Sequence, residues 1–339
     1  MTAGRKADHL RINLEDDVSA KGVESGFEAW RFEHCALPEI DLAGVDLRCA
    51  LFGRAMAAPL LISCMTGGTE EAGQINRRLA RVAQRAGLAM GLGSARALLE
   101  HSELIETFDV RGEAPDIPLL ANIGAVQLNK GYGAEECRHL VRMLHADALV
   151  LHLNAIQEAV QVEGHTCFAG LLEKIADLCD ALEVPVVVKE VGWGIAPDVV
   201  TKLLHAGVKA VDVAGAGGTS WSEVERRRLK EPWRRRVAAA FAGWGIPSAE
   251  CIAGARAVAP DALLIASGGI RDGIDVAKAI ALGADVVGVA GRFLRAAAVG
   301  EDEADDLARE FVATLRIAMF AIGARSIPAL RGTPRLRRA

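Results

Sequence analysis

Aromatic side chains are scarce in this sequence: Phe, Trp and Tyr make up 4% of 339 residues, with a single Tyr. That scarcity argues against the rows of stacking rings that hold single-stranded nucleic acid. No charge sign dominates either, since 39 Lys and Arg face 44 Asp and Glu for a net charge of −5. A polyanion-binding surface is therefore not the chain's main business. Seven cysteines are scattered with no CxxC pair, the pattern of reduced thiols rather than of a disulfide framework or a zinc site. No apolar run has the length of a membrane span, and the opening MTAGRKADHLRINLEDD lacks the apolar stretch of a signal peptide. GxGxxG, HExxH and EF-hand patterns are missing as well. These absences lead to the expectation of a cytoplasmic α/β protein with neither a nucleic-acid nor a membrane partner.

Hydrophobic residues, by contrast, reach 51% and glycines number 35, ample for one large buried core. Short apolar runs alternate with helical stretches. Strands are expected at Pro59–Met65, Leu88–Gly93, Pro118–Gly124, Ala148–Asn154, Pro185–Gly192, Ala210–Gly215, Ala262–Gly269 and Asp285–Gly291. Several are apolar on both faces, as parallel strands covered by helices require. Between them, Glu70–Ala86 spaces Ile75, Leu79, Val82 and Ala83 along one helical face before Gly87, and Ile274–Leu282 runs to Gly283. Eight such units match a single (β/α)8 TIM barrel of the α/β class. Residues 59–330 form the expected barrel. Residues 1–58 are an N-terminal extension, with an extended piece at Phe32–Ile40, and 331–339 a basic flexible tail. The connection after the sixth strand, Ser220–Ile246, is long and holds two arginine runs, 226–228 and 234–236. A loop of that length reads as a lid or a subunit contact; a solvated helical face is the other reading of its arginines.

A barrel's chemistry sits at the C-terminal ends of its strands, and those ends are polar here. Ser267–Gly268–Gly269–Ile270–Arg271 and Ala290–Gly291–Arg292, after strands seven and eight, form a phosphate-binding signature. Glycines let backbone N–H groups approach an anion, and a helix N-terminus adds positive potential. A tight glycine turn serving only packing is the alternative. Lys189, inside a buried strand, needs a partner. Glu190 or another core carboxylate would serve, as would an anionic ligand such as a reduced flavin, and a Schiff-base role is a third option. With Thr66, Ser94 and Asn122 as ring-edge hydrogen-bonding groups, FMN is the expected cofactor. His152, Asn154, Gln157 and Glu158 cluster at the fourth strand's end. Glu158 could hold a Mg²⁺ completed by water and substrate phosphate, and Arg5, Lys6 and Arg96 could neutralise a diphosphate.

Taken together, APLLISCMTGGT, GLGSARALLE, ANIGAVQL, HLNAIQEAVQVEG, VVVKEVGWG, DVAGAGGTSW and SGGIRDGIDVAKA, in this order, resemble the type 2 isopentenyl-diphosphate isomerases. The resemblance runs from residue 5 to residue 294. It implies FMN in its reduced form, kept so by NADPH or NADH, with Mg²⁺, and a 1,3 proton shift between isopentenyl and dimethylallyl diphosphate. Met65, Thr66, Gly67, Ser94, Asn122, Lys189, Thr219, Gly268, Gly269, Arg271, Ala290 and Gly291 would contact FMN. Arg5, Lys6, Ser94, Arg96, His152, Asn154 and Gln157 would contact substrate, and Glu158 the metal. Gln157, Lys189 and His152 would be the catalytic side chains. A homotetramer or homo-octamer is implied too. Asp8, Val191, Ala196 and Ser248 stand where the family often carries other residues. The competing enzyme class is an FMN-dependent 2-hydroxy-acid oxidase or dehydrogenase, which needs a His base in an HGGR segment after strand six; Ala216 occupies that place here. A barrel that binds flavin without activity is a third reading, against which Gln157, Glu158 and Lys189 are all present.

Overall fold

In the computed structural model, residues 2–339 are described, with side chains from Gly4 onward. Eight strands close into a parallel ring: β1 (Leu60–Ile62), β2 (Ala89–Gly91), β3 (Leu119–Gly124), β4 (Ala148–Leu153), β5 (Val186–Glu190), β6 (Ala210–Asp212), β7 (Leu263–Ser267) and β8 (Val286–Val289). Each pairs with the next, and β8 returns to β1 through Val287 opposite Leu60. The chain is thus the (β/α)8 barrel expected from its alternation. Its strands are shorter than the apolar runs because the ladder ends where the polar, glycine-bearing loops begin.

The helices begin and end as their terminal residues dictate. Thr69 caps Glu70–Ala86 by accepting from the Ala72 N–H at 3.2 Å, and Gly87, at φ 63°, ends it in the left-handed region. Asp272 caps Gly273–Ala281 by accepting from Ile274 and Asp275. Their apolar faces and the outward residues of the strands form the main core between ring and helices.

Inside the ring a second, smaller core holds Leu61, Ala89, Leu120, Ala148, Val150, Val187, Ala210, Ile265 and Val286. A hairpin, Cys49–Leu51 with Arg54–Met56, closes the end where the strands begin, and sends Leu51 and Met56 into that core. Arg54 fastens it to Asp147, just before β4, at 2.6 Å. One end of the barrel is therefore plugged by apolar side chains, and only the other can hold a site.

The N-terminal extension opens with the helix Thr2–Glu15, which packs Ile12 with Val18 and Val224, against Trp221. Two expectations differ from what is observed. The extended piece is Trp30–Phe32 rather than Phe32–Ile40, and the tail 331–339 is not a free end. Leu336–Arg338 pairs antiparallel with Trp30–Phe32, because the tail's backbone groups find a strand edge to bond.

Candidate active site

Side chains alternate along a strand, so the residues that continue the inner core upward must point into the ring. In β4, Ala148 and Val150 face inward, and His152 follows them. The same parity in β5 sends Lys189 inward after Val187 and turns Glu190 outward. Register then aligns His152 with Lys189, and Lys189 with Asp212. Ser63, Asn122 and Ser267 complete a polar layer resting on apolar ones. Above it lies a cavity of about 920 Å³ lined by every side chain or glycine assigned to the site from the sequence. The fold brings together Arg5 and Lys6 from the extension, Met65, Thr66 and Gly67 after β1, and Ser94 and Arg96 after β2. Asn122 comes from β3, His152 to Glu158 from β4 onward, and Thr219 from after β6. Gly268, Gly269, Arg271, Ala290 and Gly291 join them from the last two loops.

The buried Lys189 has a core carboxylate as its partner, though not Glu190. It pairs with Asp212 at 3.0 Å and donates to the Ser267 hydroxyl at 3.1 Å, while still lining the cavity. Glu190 instead accepts from the N–H groups of Val191, Gly192 and Trp193 at 2.6–2.7 Å on the outside. Burial pushes the Glu190 carboxyl up to about 7 against those bonds. His152 is pushed down to about 4 by burial, with Lys189, Arg96 and Arg5 adding to it, so its ring is neutral near pH 7. Its Nδ1 meets the Asn122 side-chain oxygen at 2.8 Å. That oxygen only accepts, so Nδ1 carries the hydrogen and Nε2 keeps its lone pair.

At the far side of the cavity the balance is cationic. The Lys6 ammonium donates to the Ser94 carbonyl at 2.8 Å and lies 4.7 Å from the Phe108 ring centre. Burial, with Arg5 and Arg96 nearby, lowers its pKa to about 7. Burial and Arg96 likewise lower that of Arg5. Neither Arg5 nor Lys6 has an ion-pair partner among the described residues; Arg96 has Glu100 at 3.3 Å. Three cations converge, and only Arg96 has a matching carboxylate.

The cavity's residues suit FMN. Gly268 and Gly269, at φ 98° and 67°, take conformations open to glycine, and their N–H groups donate to no backbone carbonyl. A Cβ on Gly268 would fall 2.1 Å from the Gly215 oxygen, so packing by itself already requires a glycine at this turn. The nine-residue helix Gly291–Val299 starts at the same rim. Ser63 Oγ, on the cavity wall, is buried with no partner. Ser248 carries its hydroxyl to the Gly268 carbonyl at 2.6 Å, holding the loop from behind.

For Mg²⁺, Glu158 accepts from Asn154 at 3.0 Å, Gln161 at 2.7 Å and the His165 N–H at 2.6 Å. Asn154 Oδ1 and Gln161 Oε1 are buried without partners. Oxygen donors of this kind fit a hard cation. No group of three or more His, Cys, Asp or Glu gathers for a metal among the described residues, so water and substrate would have to fill the rest of its shell.

Sequence reasoning did not single out Glu225 or Asp212. Glu225, its side chain 1% exposed, accepts from Gln157 at 3.0 Å, meets His9 Nε2 at 2.8 Å and pairs with Arg228 at 2.6 Å. Burial alone would raise its carboxyl, but the bonds from His9 and Gln157 and the Arg228 charge hold it down at about 2. Nothing in SEVERRR marks that glutamate, whereas Asp212, a charge inside a buried strand, carried the same signal as Lys189. The first arginine run is also not a solvated face: Arg226 binds Glu223, Arg227 pairs with Asp16, and Arg228 reaches Glu225, Glu163 and Asp8.

The sequence model of the FMN-dependent dehydrogenase family matches residues 134–336. An isopentenyl-diphosphate delta-isomerase of Nostoc sp. is 51% identical over 337 residues, covering 99% of this chain and 96% of that one. The enzyme of the same name from Synechococcus sp. is 54% identical over 327 residues, covering 96% and 94%. That of Rickettsia felis is 49% identical over 323 residues, covering 95% and 93%. Among solved structures, a lactate oxidase of Pediococcus acidilactici superposes with a TM-score of 0.72 at 16% identity, over 100% of this chain and 92% of that one. An (S)-mandelate dehydrogenase variant does so at 0.69 and 18%, over 99% and 96%. At such identities these last two establish the barrel and nothing more.

Proposed function

This chain belongs to the FMN-dependent type 2 isopentenyl-diphosphate delta-isomerases, and on that footing we propose that it interconverts isopentenyl and dimethylallyl diphosphate by a 1,3 proton shift, with Mg²⁺ on the diphosphate. The observation that carries the reading is the convergence of Arg5, Lys6 and Arg96 on one side of the cavity, short of counter-charge. A diphosphate supplies what that cluster lacks.

Reduced FMN, when bound, supplies an acid/base of its own at N5, so that no protein carboxylate has to carry the proton. Met65, Thr66, Gly67, Ser94, Asn122, Thr219 and Lys189 would hold its ring and ribityl chain, with the Gly268–Arg271 loop and Ala290–Gly291 at its phosphate. Lys189 would place positive charge beside the reduced ring, an electrostatic role. Arg5, Lys6 and Arg96, with Glu158 through the cation, would fix the diphosphate and so hold the allylic carbons in place. His152, neutral at its Nε2, and Asn154 and Gln157 would bound the hydrocarbon end. The helix Thr2–Glu15, tied down by His9–Glu225 and Lys6–Ser94, would keep water out. NADPH or NADH would keep the flavin reduced, and the enzyme would work in the cytoplasm as a homotetramer or homo-octamer.

The 2-hydroxy-acid reading finds no base: Ala216 is fully buried, its N–H bonded to Ile246. An anaerobic assay with FMN, NADPH, Mg²⁺ and isopentenyl diphosphate in D₂O, followed by NMR, tests the proposal. Dimethylallyl diphosphate and deuterium incorporation that depend on both reduced flavin and Mg²⁺ are expected. Flavin binding with no isomerisation would overturn it.

A further inference from the structure

The two charged residues of the inner polar layer are adjacent in register, on β5 and β6. Asp212 is 1% exposed and has no free oxygen. Its Oδ2 faces the Lys189 ammonium at 3.0 Å. Its Oδ1 accepts from the Ser267 hydroxyl at 2.6 Å and from the Ala214 N–H at 3.2 Å. Ser267 in turn accepts from Lys189 at 3.1 Å. Two of the three ammonium protons are thereby taken inside the wall, and the lysine still borders the cavity.

This closed triangle does two things. It fixes where the ammonium sits, because a four-carbon side chain held by two acceptors, one from each of the next two strands, is restrained. It also sets how much charge the cavity sees: a lysine with a carboxylate at 3.0 Å presents a dipole, where a bare one would present a full charge. The cationic cluster across the cavity is compensated at Arg96 alone, by Glu100. The cavity is thus divided into a near-neutral end at Lys189 and a cationic end at Arg5, Lys6 and Arg96.

We propose that Asp212 is a positioning residue for Lys189 that limits the positive charge offered to the flavin ring, and so sets how strongly the site favours reduced over oxidised FMN. The inference rests on the reading that the ring lies against Lys189. Ser267 carries no charge and only bridges.

The test is the reduction potential of the holoenzyme, measured anaerobically at slightly acidic pH for wild type, D212N, K189M and K189M/D212N, with S267A beside them. Removing the carboxylate makes the potential more positive, and removing the lysine makes it more negative. The double variant returns towards wild type, and S267A, which keeps the charge pair, shifts it less than D212N does. A tenfold change in the ratio of oxidised to reduced FMN dissociation constants corresponds to about 30 mV for a two-electron couple, and a shift of that order is expected in each single variant. If K189M leaves the potential unchanged, the placement of the ring fails. If K189M lowers it but D212N does not raise it, the role of Asp212 fails. Should D212N bind FMN too weakly, the thermal midpoints of the apoproteins decide whether the pair exists. D212N loses stability, and K189M/D212N recovers it because no unpaired charge stays buried. A double variant no more stable than D212N would overturn the pair, and the proposal with it.

Discussion

Lys6 titrates, without ligand, where the enzyme is expected to work. Its pKa of about 7 reflects first its burial and then Arg5 and Arg96. Below that pH it is charged, and above it the free enzyme has lost the proton. A diphosphate bound there would restore a counter-charge, so binding above pH 7 would take up a proton and weaken as pH rises. KM for the diphosphate should therefore climb through neutrality, by at most about tenfold per pH unit, with kcat changing less. Lys6→Gln should raise KM about tenfold at pH 6 and flatten the profile. Steady-state kinetics from pH 6 to 9 would show it, and a flat wild-type profile would remove Lys6 from the diphosphate site.

Two elements decide what the barrel can do at its two ends. The hairpin at the strand N-termini is held by Leu51, 1% exposed, and Met56, 2% exposed. Leu51→Ala should cost about 2–5 kcal/mol by leaving a void in the inner core, read as a lower denaturation midpoint. FMN affinity should be unchanged, because the site is at the opposite end. At that end, the helices Trp221–Arg228 and Pro232–Ala239 make up the long connection after β6. The first is stitched to the N-terminal helix by His9–Glu225 and to Asp16, just past that helix, by Arg227, so the two should move together. Limited proteolysis of 220–246 should slow when FMN and substrate are present. Identical cleavage with and without them would remove the lid role.

On the scale of the molecule, no described helix is long and apolar enough to cross a membrane. The outer surface nevertheless leaves Trp233 55% and Trp244 60% exposed, close in sequence to Arg234, Arg235 and Arg236. Exposed tryptophans are enriched where subunits meet. The proposed homotetramer or homo-octamer should elute at a multiple of the chain mass in light-scattering chromatography, and Trp233→Glu with Trp244→Glu should shift it towards smaller species. A wild-type monomer at micromolar concentration would exclude the assembly.

Much of the fold and site was legible because it depends on local rules. Alternating apolar runs, with Gly87 and Gly283 as helix stops, determine eight strand–helix units, and the strand ends must then carry the chemistry. Lys189 announced itself because an ammonium in an apolar strand needs a reason. The sequence could not say which reason, since Glu190 is its neighbour in the chain but lies on the opposite face. Only closure of the ring puts Asp212 and Ser267 against it. Glu225 belongs to the same class: its partners Gln157 and His9 are 68 and 216 residues away. The tail 331–339 gains its order from a strand some 300 residues earlier. Periodicity and capping act over one or two turns of chain and can be read directly. Pairing of buried charges and of strand edges is decided by distance in space, which the tertiary structure alone supplies.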